Sequence, residues 1–93
     1  MERDSIIRRA NRVVFRELSS DAGGVLLHLD TGEYHGVNDV GRLIWQLIGD
    51  GASLDQLIDG VRSETAGPPP NLDDDVKDFV SALVARSLLV IEG

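Results

Sequence analysis

The chain has two histidines, His28 and His35, and these are its first candidates for acid–base or metal chemistry. Neither lies at a metal-ligand spacing from another ligand, and the sequence contains no cysteine. It also has no phosphate-binding loop and no nucleophile with a partner base. We therefore expect both histidines to be ordinary strand residues. The sequence predicts a protein without catalytic residues, metal or cofactor, and so not an enzyme.

Ser53 suggests a different chemistry, because small acidic carrier proteins hold their prosthetic group on a serine at a helix start. In this sequence the segment is Gly-Ala-Ser-Leu-Asp, without the aspartate that directly precedes the serine in such carriers. Strands at the start of the chain also do not fit their all-helical bundle. A carrier protein is therefore an alternative that the sequence disfavours.

The charge of the chain bears on the class of its partners. The formal net charge is -7, which repels nucleic acid phosphate. Arg8, Arg9, Arg12 and Arg16 lie near the start of the chain, and the second helix of the predicted helix-turn-helix, which would enter a DNA groove, is mostly acidic. We expect no nucleic acid partner, and winged-helix DNA binding is a second disfavoured alternative.

Three short segments predict the strands that carry the histidines. Residues 12–18 are rich in β-branched and aromatic residues, and residues 25–30 and 33–37 flank the turn at Asp30, Thr31 and Gly32. Leu27, Leu29 and Val37 fit a two-residue period around this turn. We expect a three-stranded antiparallel meander in a domain of residues 12–93, preceded by an N-terminal arm of residues 1–11.

Three helices are predicted after the strands. The first spans residues 39–48 with Asn38 as its cap, and the second begins at Ser53, which forms a capping box with Gln56. The third spans residues 72–87 with Asn71 as its cap, after a proline run that ends the second helix. Strands followed by helices indicate an α+β fold, here a winged helix-turn-helix.

The third helix has an apolar face too wide for a single contact. Its apolar residues cover an arc of roughly 140°, whereas packing on one core needs roughly 100°. These residues are Val76, Phe79, Val80, Leu83 and Val84. Either all five lie in the core, or one edge lines a groove beside the third strand; the pattern alone leaves both open.

A short motif carries a resemblance to a known family. Its residues are Thr31, Gly32, Tyr34, Val37, Asn38, Gly41, Ile44 and Trp45. In this order and spacing they resemble the PqqD-like family of peptide-recognition domains. The resemblance implies that a leader peptide lies between the third strand and the third helix. The implied peptide-binding residues are Glu33, Tyr34, His35, Gly36, Val37, Val76, Phe79, Val80 and Leu83. We expect Tyr34 and Trp45 to be core anchors as well.

The third strand is expected to bind the peptide through its edge. It has no proline or lysine to protect it, so another strand can add to it. The alternative is that residues 88–91 or the N-terminal arm cover this edge.

The resemblance predicts an adaptor without chemistry of its own. Its expected partners are the leader of a ribosomally made precursor peptide and a separate leader protease and cyclase of a lasso-peptide pathway. The alternative is a peptide chaperone for a radical enzyme in cofactor biosynthesis. No segment approaches the roughly 20 apolar residues of a membrane helix, and residues 1–11 do not form a cleavable signal, so we expect a cytoplasmic protein without a membrane partner.

Overall fold

The computed structural model describes residues 2–17, 23–65, 67 and 70–92. The strands and helices follow the chain in this order: β1 Ile6–Arg9, β2 Val13–Glu17, β3 Gly24–His28, β4 Tyr34–Val37, α1 Asp39–Ile48, β5 Ala52–Ser53, α2 Leu54–Glu64, α3 Leu72–Ala85 and β6 Leu89–Glu92. The predicted α+β fold, a sheet of three antiparallel strands with three helices, is confirmed. The predicted turn at residues 19–24 and the proline run at 68–70 lie partly outside the described residues.

The meander β2-β3-β4 is the first of two sheets. Both pairs are antiparallel, with Phe15 opposite Leu26 and Leu26 opposite His35. Leu26 and His28 are buried on the inner face of β3, whereas Leu27 lies on the opposite face. The two-residue period thus predicted the strand but not which of its faces points inward. Gly32 has φ +76° in the turn before β4, a conformation that glycine adopts without strain.

A second sheet, of order β5-β1-β6, joins the two ends of the described chain. In β1, Ile6 pairs with Ser53 on one side and Glu92 on the other, and Ile7 has no exposed surface. Strand β1 lies within the expected N-terminal arm of residues 1–11 and was not predicted. The domain boundary at residue 12 stays a prediction.

The helices begin largely as their caps predict. The Asn38 side chain accepts a hydrogen bond from the Gly41 amide, and Ser53 and Gln56 form the complete capping box of α2. Asn71 occupies the N-cap position of α3, as predicted, but its side chain makes no cap hydrogen bond. Helix α3 ends at Ala85 rather than 87, because Ser87 adopts φ +62° and the Leu88 amide donates to the Leu83 carbonyl, which closes the helix end.

The core lies between the two sheets and the helices. The apolar residues of α2 and of the inner side of α1 are buried: Leu54, Leu57, Ile58 and Val61 of α2, and Ile44, Trp45 and Ile48 of α1. Trp45 is the core anchor that was predicted, and the Arg9 guanidinium lies 4.7 Å from its ring centroid. Tyr34 is 74% exposed, so the prediction that it anchors the core is wrong. No helix in the described ranges is long and apolar enough to cross a membrane.

Candidate functional site: the edge of β4 and the face of α3

Strand β4 is an edge of its sheet in the part of the chain that the structure describes. It pairs with β3 only. The two alternative covers, the N-terminal arm and residues 88–91, contribute to β1 and β6, which pair with each other instead. The His28 amide donates to the Glu33 carbonyl, which makes this pair a hydrogen-bonded one. Because such pairs alternate along an antiparallel ladder, the main-chain groups of His35 and Val37 also face β3. Those of Tyr34 and Gly36 therefore point outward.

Phe79 of α3 lies beside the end of β4. A Cβ atom built on Gly41 would lie 2.8 Å from Cε2 of Phe79 and 3.0 Å from Cβ of Val37. Gly41 thus lets the aromatic ring, the end of β4 and the start of α1 come together. The side chain of Phe79 is only partly buried, whereas those of Val76, Val80 and Leu83 on the same helix are buried.

A cavity of about 280 Å³, called here the Phe79 pocket, opens at this point. Apolar side chains from all three helices line it, together with Asn38, Thr65 and Asp75 at the helix ends. The apolar residues are Val40, Ile44, Val61, Leu72, Val76 and Phe79. A pocket of this kind accepts an apolar or aromatic side chain and offers polar groups at its rim.

A smaller depression, called here the Arg86 depression, lies at the other end of β4. It is lined by Glu33, Tyr34, His35, Arg86 and Leu88. Burial, and secondly the positive charge of Arg86, lower the pKa of His35 below its ordinary value. The Phe79 pocket lies at the Asn38 end of β4 and the Arg86 depression at its Tyr34 end, and α3 or its last turn lines both. The surface from one to the other, along β4 and the side of α3 that carries Phe79 and Arg86, is called here the α3–β4 groove.

The predicted peptide-binding residues are thereby sorted by exposure. Glu33, Tyr34 and His35 line the Arg86 depression, and Phe79 lines the Phe79 pocket. Val76 lies in the wall of that pocket although it is 1% exposed. Gly36 and Val37 lie on β4 between the two. Val80 and Leu83 have no exposed surface and belong to the core. Their contact with a peptide stays a prediction, and it would require movement of the side chains above them.

The residues that line the two ends of the groove without having been predicted include Val40, Thr65, Asp75 and Arg86. Val40 and Thr65 occupy the ends of helices that meet only in the folded chain, so no local pattern indicates them. Asp75 and Arg86 had a signal, because both lie at helical spacing from Phe79. Asp75 is also one of three aspartates in the first turn of α3, where negative charge complements the helix dipole, so its type alone did not indicate a binding role.

The histidines occupy the strands that were predicted for them. His28 ends β3, where its Nδ1 accepts a hydrogen bond of 3.2 Å from the Asp30 amide, and His35 lies in β4. Among the described residues, no group of three histidine, aspartate or glutamate side chains is arranged to hold a metal ion. The groove offers main-chain groups, an apolar pocket and charges, which are means of binding.

The fold and this groove define a winged helix-turn-helix domain with an open strand beside a helix. The family model of Coenzyme PQQ synthesis protein D (PqqD) matches residues 23–89, from the start of β3 to the start of β6. The chain belongs to the PqqD family.

A solved structure supports the same relationship. The chain is similar to TbiB1, a protein whose structure was solved in complex with the TbiA(beta) leader peptide. The TM-score is 0.75 at 33% sequence identity, and the match covers 88% of this chain and 93% of the TbiB1 chain. No curated protein matches the chain.

Proposed function

We propose that this protein binds the leader region of a ribosomally synthesised precursor peptide, which adds as a further strand to the outer edge of β4. The observation that carries the proposal is the open edge at Tyr34 and Gly36, on the strand that leads to Asn38 in the wall of the Phe79 pocket. The similarity to TbiB1, a protein solved with a leader peptide, supports it.

Both parts of the α3–β4 groove are needed for useful affinity. The outward groups of Tyr34 and Gly36 form four main-chain hydrogen bonds with an added strand, worth about 2 to 6 kcal/mol in total. Micromolar binding requires about -8 kcal/mol after the cost of association. One apolar side chain in the Phe79 pocket contributes about 1.5 to 3 kcal/mol more. We therefore expect the strand to fix the path of the peptide and the pocket to supply an anchor.

The test of strand addition is a pair of substitutions at one position. Gly36→Pro removes an outward amide and places a ring on the edge, which edge strands tolerate, whereas Gly36→Ala keeps the amide. In a titration with the leader of the precursor encoded beside this gene, Gly36→Pro should weaken binding at least fivefold and Gly36→Ala should not. Far-ultraviolet circular dichroism of both variants verifies the fold.

Hydrogen exchange gives an independent readout. On binding, the amides of Tyr34 and Gly36 should exchange more slowly, while those of His35 and Val37, already bonded to β3, should change less. N-methylation of alternate leader amides should cost about 0.5 to 1.5 kcal/mol per lost bond. Equal affinity of the Pro and Ala variants, or a helical bound peptide, would falsify strand addition.

The protein acts as an adaptor in this proposal. It holds the precursor for a separate leader protease and cyclase of a lasso-peptide pathway, and raises their rate by increasing the local substrate concentration. Mass spectrometry of the precursor incubated with this protein alone should show no change, and addition of the partner should give faster processing. Cleavage by the repurified protein alone would contradict the adaptor role.

The family description favours one alternative partner, a radical enzyme of cofactor synthesis, since it names coenzyme PQQ synthesis. Measuring which enzyme the protein accelerates, the leader protease or the radical enzyme, distinguishes the two.

A further inference from the structure

The groove-facing side of α3 carries an ordered series of side chains. Asp75, Phe79, Ala82 and Arg86 are separated by four, three and four residues, so they follow one line along the helix and its last turn. Asp75 and Phe79 line the Phe79 pocket, and Arg86 lines the Arg86 depression. The wall of the groove therefore changes from acidic through apolar to basic.

The two end charges are available to a ligand. Within the described ranges, the ion pairs join other groups: Asp73 binds both Arg3 and Arg62, and Arg42 binds Glu17. Neither Asp75 nor Arg86 forms an ion pair there. Glu33 also lines the Arg86 depression, where its negative charge weakens the positive potential of Arg86, but the two side chains form no ion pair.

We propose that Asp75 and Arg86 read the order of charges in the leader peptide, so that the groove selects a base and an acid on either side of an apolar segment. This proposal rests on the strand addition proposed above and names the class of peptide that it takes. Opposite charges at the two ends of the groove attract the matching ends of an extended peptide and repel the reverse arrangement.

The spacing and direction follow from the geometry. Eleven residues of helix separate Asp75 from Arg86, about 16 Å at 1.5 Å per residue. An extended chain covers this distance in about five residues. Strand β4 runs from the Arg86 depression toward Asn38 in the wall of the Phe79 pocket. A peptide antiparallel to β4, the more stable pairing, thus places its base first, near Asp75, and its acid about five residues later, near Arg86.

The experiment uses the leader of the precursor encoded beside this gene. An array of overlapping fragments identifies its strongest-binding segment, and two versions of that segment are synthesised. Both carry one lysine and one glutamate five residues apart around the same apolar centre, in opposite orders. Fluorescence anisotropy then gives the affinity of each for the native protein and for the double variant Asp75→Arg/Arg86→Asp, which has the same net charge.

The native protein should prefer lysine before glutamate by about five- to tenfold, since each exposed ion pair contributes a few-fold and the reverse order adds repulsion. The double variant should prefer the opposite order, and 0.5 M salt should remove both preferences. The single variants Asp75→Arg and Asp74→Arg are measured as a matched pair. Both make the same charge change in the same helical turn, but Asp74 lies away from the pocket, so Asp74→Arg should keep the native preference.

Three results would overturn the proposed charge recognition while leaving strand addition intact. They are equal affinity for the two orders, the opposite preference in the native protein, and an unchanged preference in the double variant. Failure of every leader fragment to bind refutes the proposed function, and this inference with it.

Discussion

The two sheets of this domain have the same number of strands but join very different parts of the chain. The strands of the meander β2-β3-β4 follow one another directly, whereas β5-β1-β6 brings residues 6–9 against residues 89–92. The second sheet has the completely buried Ile7 at its centre, and the meander presents the edge of β4 beside the groove. One sheet thus holds the ends of the fold together, and the other is placed to bind.

Removal of β1 should have the largest effect on this division. Deletion of residues 1–11 takes away the central strand of the β5-β1-β6 sheet and exposes Leu89 and Ala52. It also removes the Arg3 and Ser5 carbonyls, which accept from the first amides of α2. We expect no cooperative thermal transition in circular dichroism. A truncated protein that melts normally and binds the leader would instead support a domain that starts at residue 12.

A single substitution tests the same sheet more gently. Ile7→Ala removes a side chain without exposed surface and should lower the free energy of unfolding by about 2 to 5 kcal/mol, measured by urea denaturation. Its matched control is Ile91→Ala, in the facing residue of β6, which is 37% exposed and should cost much less. If the sheet only supports the fold, the leader affinity of folded Ile7→Ala should equal that of the native protein.

In the binding half of the molecule, Gly41→Ala should destabilise by about 1 to 3 kcal/mol, because its methyl group would overlap Phe79 and Val37. It should also weaken leader binding by displacing the aromatic ring. Gly36→Ala introduces the same methyl group into open space and is the control. Equal melting temperatures of the two variants would show that Phe79 moves aside freely and that the pocket is not rigid.

Phe79→Ala should weaken leader binding by more than 1 kcal/mol in a calorimetric titration, as buried aromatic anchors commonly do. Phe15→Ala makes the same change on β2, where the ring packs beside Gly24, and should lower stability without changing affinity. If Phe79→Ala unfolds the domain, or binds as tightly as the native protein, Phe79 belongs to the core and the Phe79 pocket is not the anchor site.

The smallest expected effect concerns His35. Burial and then Arg86 lower the pKa of this histidine in the folded state, so the unfolded chain binds its proton more readily. Stability should therefore rise with pH through the range just below and up to the ordinary histidine pKa, and fall as pH decreases through it. His35→Gln should reduce this dependence in melts between pH 5 and 8, and Arg86→Ala should reduce it less. An identical pH profile in His35→Gln would contradict the assignment.

The meander and the helices could be predicted because their signals are local. The turn with Gly32, the Asn38 cap and the Ser53 capping box each specify a boundary within a few neighbouring residues. Strand β1 gave no such signal, since four residues contain only two apolar ones, and its partners lie more than forty residues away. The alternation in β4 also could not tell which face is covered, which is why Tyr34 was placed in the core.

The candidate site was predictable in part for the same reason. The wide apolar arc of α3 indicated a second contact, and Phe79 does lie at the groove. The depth of each residue depends on how α3 rotates against the core, so the arc could not separate Phe79 from the buried Val80 and Leu83.

The pairing of Ile6 with Glu92 has a consequence for protein engineering. Facing residues of two strands lie about 5 Å apart, so a short flexible linker can join the two ends of the described chain into a ring. New ends can then be opened between α2 and α3, where the chain leaves one helix before entering the next. In such a circular permutant β6 and β1 form a hairpin. Their pairing, which is a long-range contact in the present chain, then becomes a local one.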